Sequence, residues 1–448
     1  MIHRFQKCGL NFIVDTNSGA VHLPDGAAYD LAGTLAPPLL PCPADSPEIR
    51  GLREKHGDKA IDEAYAELFA LYESGALFSE CESPPPDLTD IPLKALCLHV
   101  SHDCNLRCGY CFASTGDFNT GRSLMPPETA MRAIDFIIEK SRKRRNIEID
   151  FFGGEPLMAF DTVRKTVDYA RSREKEAGKN FRFTITTNGV ALNDEIIAYI
   201  NREMSNVVIS LDGRESVNDA LRKTPDGRGS YAAIVPKFKA LVDARGHRDY
   251  YTRGTFTARN LDFDADVLHM AGLGFKNLSV EPVVTKGPLE LREERLPEIF
   301  AAYDRLCEAL ADREKQGEGL TFFHFMVDFE RGPCAAKRSK GCGAGYEYAA
   351  ITPRGDIYPC HQFVGMDGFR LGSIFDDSFD KALSERFAGL NIFTRKACQG
   401  CWAKFYCGGG CSASNFVMNG EIAEPYALGC EMEKYRLERA IWLKAVSQ

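Results

Sequence analysis

Short apolar segments alternate with helical segments in the central part of the chain, from about residue 93 to about residue 312. Strands that alternate with helices predict consecutive βα units, and such units build a parallel sheet. We therefore expect an α/β fold with six parallel strands. The predicted strands are 95–100, 147–152, 181–186, 207–211, 252–257 and 278–282.

The first 80 residues have a different pattern. Two short apolar segments, 10–14 and 20–23, flank turn-forming residues and predict a β-hairpin. A helix is expected to begin near Ser46 and Pro47, because a capping serine followed by proline is typical of a helix N-terminus. A second helix is predicted roughly from residue 59 to residue 74. This order fits a small winged-helix-like domain.

Three consecutive prolines, Pro84 to Pro86, mark a domain boundary after this unit. Consecutive prolines hold an extended conformation and cannot join the interior of a sheet. The predicted division is 1–83 for the N-terminal domain, 84–92 for the linker, 93–312 for the βα units, 313–341 for a bridging region, 342–435 for a cysteine-rich domain and 436–448 for the end of a C-terminal helix.

Composition and charge narrow the class of protein. The 448 residues are 44% hydrophobic and 26% charged, which is typical of soluble globular domains. The net charge of -8 argues against a general nucleic-acid binder. We expect no membrane partner and a cytoplasmic location, because the chain has no membrane-spanning apolar stretch and no signal-peptide core. Sixteen cysteines in a reducing compartment favour metal or cluster ligation over disulfides.

Three cysteines lie on one short loop after the first predicted strand. Cys104, Cys108 and Cys111 have the spacing C-x3-C-x2-C. Three thiolates hold three irons of a four-iron cluster and leave the fourth open, where a reducible iron can cleave a bound sulfonium such as S-adenosylmethionine (SAM). The alternative is a zinc loop, which would need His99 or His102 as its fourth ligand.

Further candidate residues follow the next strands. Ligands gather at the C-terminal ends of the strands in such a sheet, and each candidate motif falls at one of these ends. The candidates are Gly153, Gly154, Glu155 and Pro156 after the second strand, Thr187 and Asn188 after the third, and Ser210, Asp212 and Arg222 around the fourth.

The cysteine loop, with Tyr110 before its last cysteine, and the Gly-Gly-Glu-Pro sequence resemble the signatures of the radical SAM superfamily. The resemblance implies a partial (β/α)6 TIM-like barrel that binds SAM and a [4Fe-4S] cluster. Glu155 would then bind the SAM amino group and the Tyr110 backbone the adenine. Ser210, Asp212 and Arg222 would bind the ribose and carboxylate. The alternatives for the last two are a capping aspartate and a surface arginine.

The last quarter of the chain carries a second group of cysteines, and their spacing looks like the seven-cysteine SPASM extension. That extension holds two auxiliary [4Fe-4S] clusters, so the resemblance implies three clusters in all. A pair of zinc sites is the alternative. By resemblance, Cys342, Cys360 and Cys411 belong to the first auxiliary cluster, and Cys398, Cys401, Cys407 and Cys430 to the second.

Seven thiolates leave one iron of the first auxiliary cluster without a protein ligand. We expect an open iron there, where a substrate thiolate could bind, and Cys334 is the alternative fourth ligand. His361, next to Cys360, is either a group that tunes this cluster through a hydrogen bond or an ordinary packed histidine.

Longer stretches, among them Asp150-Phe-Phe-Gly-Gly-Glu-Pro and Cys401-Trp-Ala-Lys-Phe-Tyr-Cys, resemble the SCIFF peptide maturases. These radical SAM oxidoreductases install thioether crosslinks in a small cysteine-rich precursor peptide. The resemblance implies that the N-terminal domain binds the leader of this peptide by strand addition. It also implies an electron donor such as flavodoxin or ferredoxin. The alternatives are an anaerobic sulfatase maturase, a carbon-carbon crosslinker, and an iron-sulfur electron carrier or scaffold.

Overall fold

The centre of the molecule is a large, mostly parallel sheet. The computed structural model describes residues 1–43, 45–80, 90–327, 339–376 and 378–447. Its strands are β1 (Ile2–Lys7), β2 (Leu10–Asp15), β3 (Val21–His22), β4 (Ala95–His102), β5 (Arg107–Cys108), β6 (Ser123–Leu124), β7 (Asn146–Gly153), β8 (Asn180–Thr187), β9 (Asn206–Ser210), β10 (Arg222–Lys223), β11 (Tyr250–Phe256), β12 (Asn277–Pro282), β13 (Thr321–Phe322), β14 (Tyr348–Ile351), β15 (Asp356–Tyr358) and β16 (Gly372–Ser373).

Helices cover the outer side of this sheet and complete the two flanking regions. In the described ranges, no helix is long and apolar enough to cross a membrane. The helices are α1 (Gly26–Ala32), α2 (Pro47–His56), α3 (Asp58–Glu73), α4 (Pro127–Lys140), α5 (Phe160–Ala177), α6 (Asp194–Glu203), α7 (Glu215–Leu221), α8 (Tyr231–Ala244), α9 (Phe263–Gly272), α10 (Leu296–Lys315), α11 (Lys381–Ala388), α12 (Lys396–Gln399), α13 (Lys404–Cys407), α14 (Ser412–Asn419) and α15 (Ala427–Val446).

Strands β4, β7, β8, β9, β11 and β12 pair in chain order, and every one of these pairs is parallel. The predicted partial (β/α)6 barrel is confirmed, and each predicted strand lies within two residues of its observed bounds. Buried and less buried positions alternate along β7 and β8. Apolar side chains therefore pack under the helices, while polar side chains face the inside of the barrel.

The C-terminal region continues the barrel sheet, which the sequence did not predict. Strand β14 pairs in parallel with β4, the strand that leads into the cysteine loop, and β15 and β16 follow in antiparallel order. Cys360 comes two residues after β15 ends at Tyr358. This pairing places the first C-terminal cysteines beside the barrel.

The N-terminal unit is a three-stranded antiparallel sheet, β1-β2-β3, packed on α1, α2 and α3. The predicted hairpin is present as β2 and β3, but β1 and α1 were not predicted. Strand β1 carries apolar residues only at Ile2 and Phe5, so it lacks the alternation that identifies a strand. Helix α1 has only seven residues and begins after Asp25, whose side chain accepts a hydrogen bond from the Ala28 N–H. The predicted proline linker falls mostly on residues 81–89, outside the described residues.

Strand β1 fixes the N-terminal unit to the rest of the protein. The ring of His3 stacks on Trp402, with centroids 4.0 Å apart and an interplanar angle of 1°. The Nζ atom of Lys7 lies 2.8 Å from a carboxylate oxygen of Asp304 and also bonds Glu308. Both carboxylates belong to α10, so a buried lysine of the small sheet is paired with a helix of the barrel.

We expect Lys7→Met to lower the free energy of unfolding by about 1–3 kcal/mol, because Asp304 and Glu308 lose a hydrogen-bonded cation. Urea unfolding measures this loss, and hydrogen exchange should report faster exchange in β1 and β2. Lys59→Met is the matched control, since the Lys59–Glu63 pair is exposed and contributes within about 0.5 kcal/mol. Equal effects of the two substitutions would contradict a specific role for Lys7.

Candidate active site

The loop that follows β4 brings three thiols to one cavity at the C-terminal ends of the barrel strands. Cys104, Cys108 and Cys111 all line this cavity. The loop is held by β5, which pairs with β10 so that Cys108 lies opposite Arg222. Burial raises the pKa of Cys104 to about 12 and that of Cys108 to about 11. Buried thiols of this kind ionise when they bind a metal centre, so this donor set fits a cluster.

A glycine pair at the end of β7 presses directly on the start of the cysteine loop. The N–H of Gly154 donates to the Ser101 carbonyl at 2.7 Å, and the N–H of Glu155 donates to the Asp103 carbonyl at 2.9 Å. Gly153 has a φ of +130°, and a Cβ there would lie 2.1 Å from the Ser101 oxygen. A Cβ on Gly154 would lie 2.2 Å from the Asp103 oxygen. Neither position has space for a side chain.

The carboxyl group of Glu155 is buried beside the same cavity and is 1% exposed. It accepts hydrogen bonds from the Asn188 N–H at 2.8 Å, the Thr187 hydroxyl at 2.7 Å and the Leu157 N–H at 3.0 Å. Burial raises its pKa to about 7. Among the described residues, no basic side chain pairs with it, so the site favours a ligand with a positive group. Pro156 begins a short 3₁₀ turn behind this carboxyl and does not line the cavity.

The Asn188 side chain ties the end of β8 to the cysteine loop. Its Nδ2 atom donates to Asn105 Oδ1 at 2.7 Å and lies 3.6 Å from the sulfur of Cys104. Thr187 and Asn188 both line the cavity, next to Glu155. The structure thus brings these sequence-predicted residues together at one place.

The expected contact of Asp212 with SAM is not supported by its position. Asp212 has no exposed surface and does not line the cavity. Its carboxylate accepts hydrogen bonds from the Tyr110 hydroxyl at 2.8 and 2.9 Å, from Arg222 at 3.0 Å and from the Thr255 N–H at 2.9 Å. Ser210, Tyr110 and Arg222 do line the cavity. Arg222 is buried rather than at the surface, and Asp212 holds it and Tyr110 in place.

Two charged residues of the cavity wall were not identified from the sequence. Arg253 on β11 and Glu281 on β12 form a bidentate pair, with N–O distances of 3.1 and 2.6 Å. Both line the same cavity as the cysteine loop. The sequence did contain a signal for them. Each is a charged residue inside an otherwise uncharged strand, and such a residue in a barrel strand faces the interior.

The two histidines of the zinc alternative make their polar contacts with each other and with Thr120. Nδ1 of His99 is 3.2 Å from Nε2 of His102, and Nδ1 of His102 is 2.8 Å from the Thr120 hydroxyl. His99 packs against Phe118 and Phe152. Within the described ranges, no three His, Cys, Asp or Glu side chains converge closely enough to hold a single metal ion. The arrangement does not offer a tetrahedral zinc site.

The C-terminal cysteines form two groups. Cys342, Cys360 and Cys411 line one small pocket. Cys334 lies outside the described residues, so its position relative to this pocket is not part of the structure.

The other four C-terminal cysteines lie on and between α12, α13 and α15. Burial and the neighbouring Cys398 and Cys401 raise the pKa of Cys430 to about 11. Burial, Glu433 and Cys430 raise the pKa of Cys407 to about 12. Cys430 is thus influenced by Cys398 and Cys401, and Cys407 by Cys430. The assignment of these four cysteines to one cluster, which the resemblance implies, stays a prediction.

Comparison with known proteins agrees with this geometry. The radical SAM superfamily model matches residues 98–257, and the model of the SPASM iron-sulfur cluster-binding domain matches residues 342–402. Mycofactocin maturase MftC of Mycobacterium ulcerans is 30% identical over 339 residues, which cover 73% of this chain and 85% of MftC. The chain belongs to the radical SAM/SPASM maturases.

Solved structures show the same fold at low sequence identity. The structure of anSMEcpe with bound AdoMet has a TM-score of 0.66 and 18% identity, over 80% of this chain and 99% of that one. SuiB from Streptococcus suis bound to S-adenosylmethionine has a TM-score of 0.52 and 17% identity, over 94% of this chain and 97% of that one. The parallel-sheet core is therefore the radical SAM core.

Membership of the family implies SAM, a [4Fe-4S] cluster in the barrel and auxiliary iron-sulfur clusters in the SPASM domain. The cavity fits the first two groups, because three partly buried thiols and the buried carboxyl of Glu155, which has no basic partner among the described residues, line it together. The C-terminal cysteine groups have the donor chemistry that the auxiliary clusters need.

We expect Gly154→Ala to prevent correct placement of the radical SAM cysteine loop, because the new Cβ would overlap the Asp103 carbonyl. Anaerobic reconstitution should then load about four fewer irons per chain, the content of one [4Fe-4S] cluster. Iron and sulfide analysis measures this deficit. Gly272→Ala on α9 is the matched control, since a Cβ there meets nothing within 4 Å. Equal iron content in both variants would count against the proposed role of Gly154.

Proposed function

We propose that this radical SAM/SPASM maturase forms intramolecular thioether crosslinks on cysteines of a small cysteine-rich precursor peptide. One observation carries the proposal. Of the described residues, only three cysteines line the pocket of Cys342, Cys360 and Cys411. If this pocket holds a [4Fe-4S] cluster, one iron has no sulfur ligand from the described residues, and in this proposal a peptide cysteine supplies the fourth ligand.

The proposed assignment of the cysteines gives three clusters. Cys104, Cys108 and Cys111 would hold the SAM cluster, and the two C-terminal groups would hold one auxiliary cluster each. When bound and reduced, SAM and its cluster supply an adenosyl radical that removes a hydrogen atom from the peptide. Glu155 would hold the SAM ammonium, and Ser210 and Arg222, which line the same cavity from β9 and β10, would face the rest of the ligand.

Each thioether replaces one C–H bond and one S–H bond with a C–S bond. One hydrogen atom leaves on the adenosyl group, and the second leaves as a proton and an electron. Each crosslink is a two-electron oxidation of the peptide, and SAM is the oxidant. The electron released in this way balances the one consumed in cleaving SAM, so the overall reaction needs no net electron donor. A donor such as flavodoxin or ferredoxin would be needed to supply the first electron.

The residues that line the barrel cavity favour a substrate that extends from the radical SAM cysteine loop to the pocket of Cys342, Cys360 and Cys411. His361, Gln362 and Ser414 of the C-terminal region line the same cavity as Cys104 and Glu155. His361 follows Cys360 directly, and its ring contacts Phe112 and Phe152. A peptide in this cavity would therefore lie between the SAM site and the pocket of Cys342, Cys360 and Cys411.

The N-terminal unit has the features of a leader-binding domain. Strands β1 and β3 are the edges of its sheet, and an extended peptide can add to such an edge. The unit contacts the segment of the second cysteine group at two points. His3 stacks on Trp402, and the Tyr406 hydroxyl donates to the Gly19 carbonyl at 3.4 Å. A leader bound here would be tethered beside the catalytic body.

The direct test is the mass of a cysteine-rich precursor peptide from the same genomic neighbourhood, after anaerobic incubation with reconstituted, reduced enzyme and SAM. We expect the loss of two hydrogens per crosslink, matching deoxyadenosine formation and thiols that no longer react with iodoacetamide. A peptide with cysteine replaced by serine is the control. Loss of two hydrogens with all thiols still reactive would instead favour a carbon-carbon crosslinker or a sulfatase-type oxidation. Cleavage of SAM with an unchanged peptide would show that the proposed substrate is wrong.

The open pocket predicts the behaviour of Cys334→Ala. If a peptide cysteine is the fourth ligand, this variant should retain the iron and the crosslinking activity of the unaltered enzyme. Cys8→Ala is the matched control, since Cys8 is an exposed thiol on the turn between β1 and β2. Iron analysis and Mössbauer spectra of both variants distinguish a peptide cysteine from Cys334 as the fourth ligand. Loss of auxiliary-cluster iron from Cys334→Ala alone would mean that the protein closes this cluster itself.

A further inference from the structure

A buried arginine lies in the SPASM domain without a carboxylate partner. Arg395 is 4% exposed. Its guanidinium donates to the carbonyls of Ile422 and Ala423 at 2.7 Å each and to the Ser412 hydroxyl at 3.0 Å. Among the residues that the structure describes, no Asp or Glu oxygen lies within 4 Å of it. All of its hydrogen-bond acceptors are thus neutral, and its charge is not compensated there.

The position of Arg395 relates it to both groups of C-terminal cysteines. It lines the pocket of Cys342, Cys360 and Cys411. Burial lowers the pKa of Arg395. The charges of Cys398, Cys407, Cys411 and Cys430 act in the opposite direction and raise it. Arg395 is thus beside the first group, whose pocket it lines, and next to the second, because its carbonyl accepts a hydrogen bond from the Cys398 N–H at 3.0 Å. An arginine keeps its proton in proteins.

The chain leaves space for Arg395 beside the glycine run that joins a cysteine of one group to a cysteine of the other. Gly408, Gly409 and Gly410 separate Cys407 from Cys411, and all three have a positive φ. A Cβ on Gly409 would lie 3.2 Å from Cδ and Nε of Arg395. A side chain at this position would crowd the arginine, so the glycine run lets Arg395 pack against the segment between Cys407 and Cys411.

We infer that Arg395 is the shared counter-cation of the two auxiliary clusters and raises their reduction potentials. The inference rests on the proposed assignment of one cluster to each cysteine group. Burial of an unpaired cation is costly, and it is offset when anions lie beside it. A thiolate-ligated [4Fe-4S] cluster is an anion, and reduction adds a further negative charge. A fixed cation stabilises the reduced form more, and charge near a cluster is a known determinant of its potential.

The hydrogen bonds of Arg395 do not by themselves require a positive charge. An uncharged amide can donate to the carbonyls of Ile422 and Ala423 as well. Arg395→Gln therefore removes the charge and keeps some of the donors, while Arg395→Lys keeps the charge and loses the planar fork. Arg386→Gln is the matched control for net charge, because Arg386 is an exposed residue of α11 that pairs with Glu421.

The test is an anaerobic redox titration of the full-length reconstituted protein, followed by electron paramagnetic resonance, after iron and Mössbauer analysis has counted the clusters. We expect Arg395→Gln to lower the midpoint potential of an auxiliary cluster by at least about 59 mV. For a one-electron couple, this shift corresponds to a tenfold change in the ratio of reduced to oxidised form. The SAM cluster should be unchanged. Arg395→Lys should stay close to the original potentials, and Arg386→Gln should not shift them.

Unchanged auxiliary potentials in a fully loaded Arg395→Gln variant would overturn the inference. If Arg395→Gln loses auxiliary iron, a loaded Arg395→Lys with near-original potentials supports the role of the charge. Loss of iron from both variants would show that Arg395 has a structural role, and would overturn the inference. If the unaltered protein holds a single auxiliary cluster, a shared counter-cation is wrong. The iron count would then show that the proposed cluster assignment had failed before any potential is measured.

Discussion

The close approach of two backbone segments, the glycine turn after β7 and the first residues of the cysteine loop, determines the geometry of the active site. Gly153 and Gly154 contact the carbonyls of Ser101 and Asp103 at distances that leave no room for a Cβ. The pairing of β4 with β7 shifts register between His99 and Ser101 just before this contact. Such irregularities redirect a strand near active sites. The loop therefore leaves the sheet in a fixed direction, with its thiols turned toward Glu155.

Buried charges in this protein fall into two kinds. Asp212 is compensated inside the protein, because Arg222 and Tyr110 donate to its carboxylate. Glu155 and Arg395 have only neutral hydrogen-bond partners among the described residues. An uncompensated buried charge is unfavourable unless a ligand brings the opposite charge. Other buried charges, such as Lys179 and Lys404, also have only neutral hydrogen-bond acceptors, so this feature does not by itself mark a ligand site. At Glu155 and Arg395 the lining of a cavity or pocket by cysteines adds a second observation, and a cationic cofactor and anionic clusters would bring the opposite charges.

The sequence allowed prediction of features that depend on neighbours along the chain. The six barrel strands were found because each is a local apolar segment, and the family was recognised because its cysteine and Gly-Gly-Glu-Pro motifs are short and local. The features that were missed depend on contacts between distant segments. Strand β14 is a strand because it pairs with β4, and Asp212 is enclosed because Tyr110 and Thr255 approach it from other segments. The pairing of Arg253 with Glu281 joins two strands in the same way.

The cysteine groups lie where separate regions of the chain meet. Cys360 follows strands that extend the barrel sheet from β4. Cys430 lies on α15, which packs against α10 of the barrel region and against β1 of the N-terminal unit. A sheet edge and a helix interface are rigid compared with a linker, so the positions of the cysteine groups relative to the barrel are set by packing. Electron transfer between clusters needs such fixed positions. The N-terminal unit, whose strand β1 bonds α10 and α15 directly, contributes to fixing them.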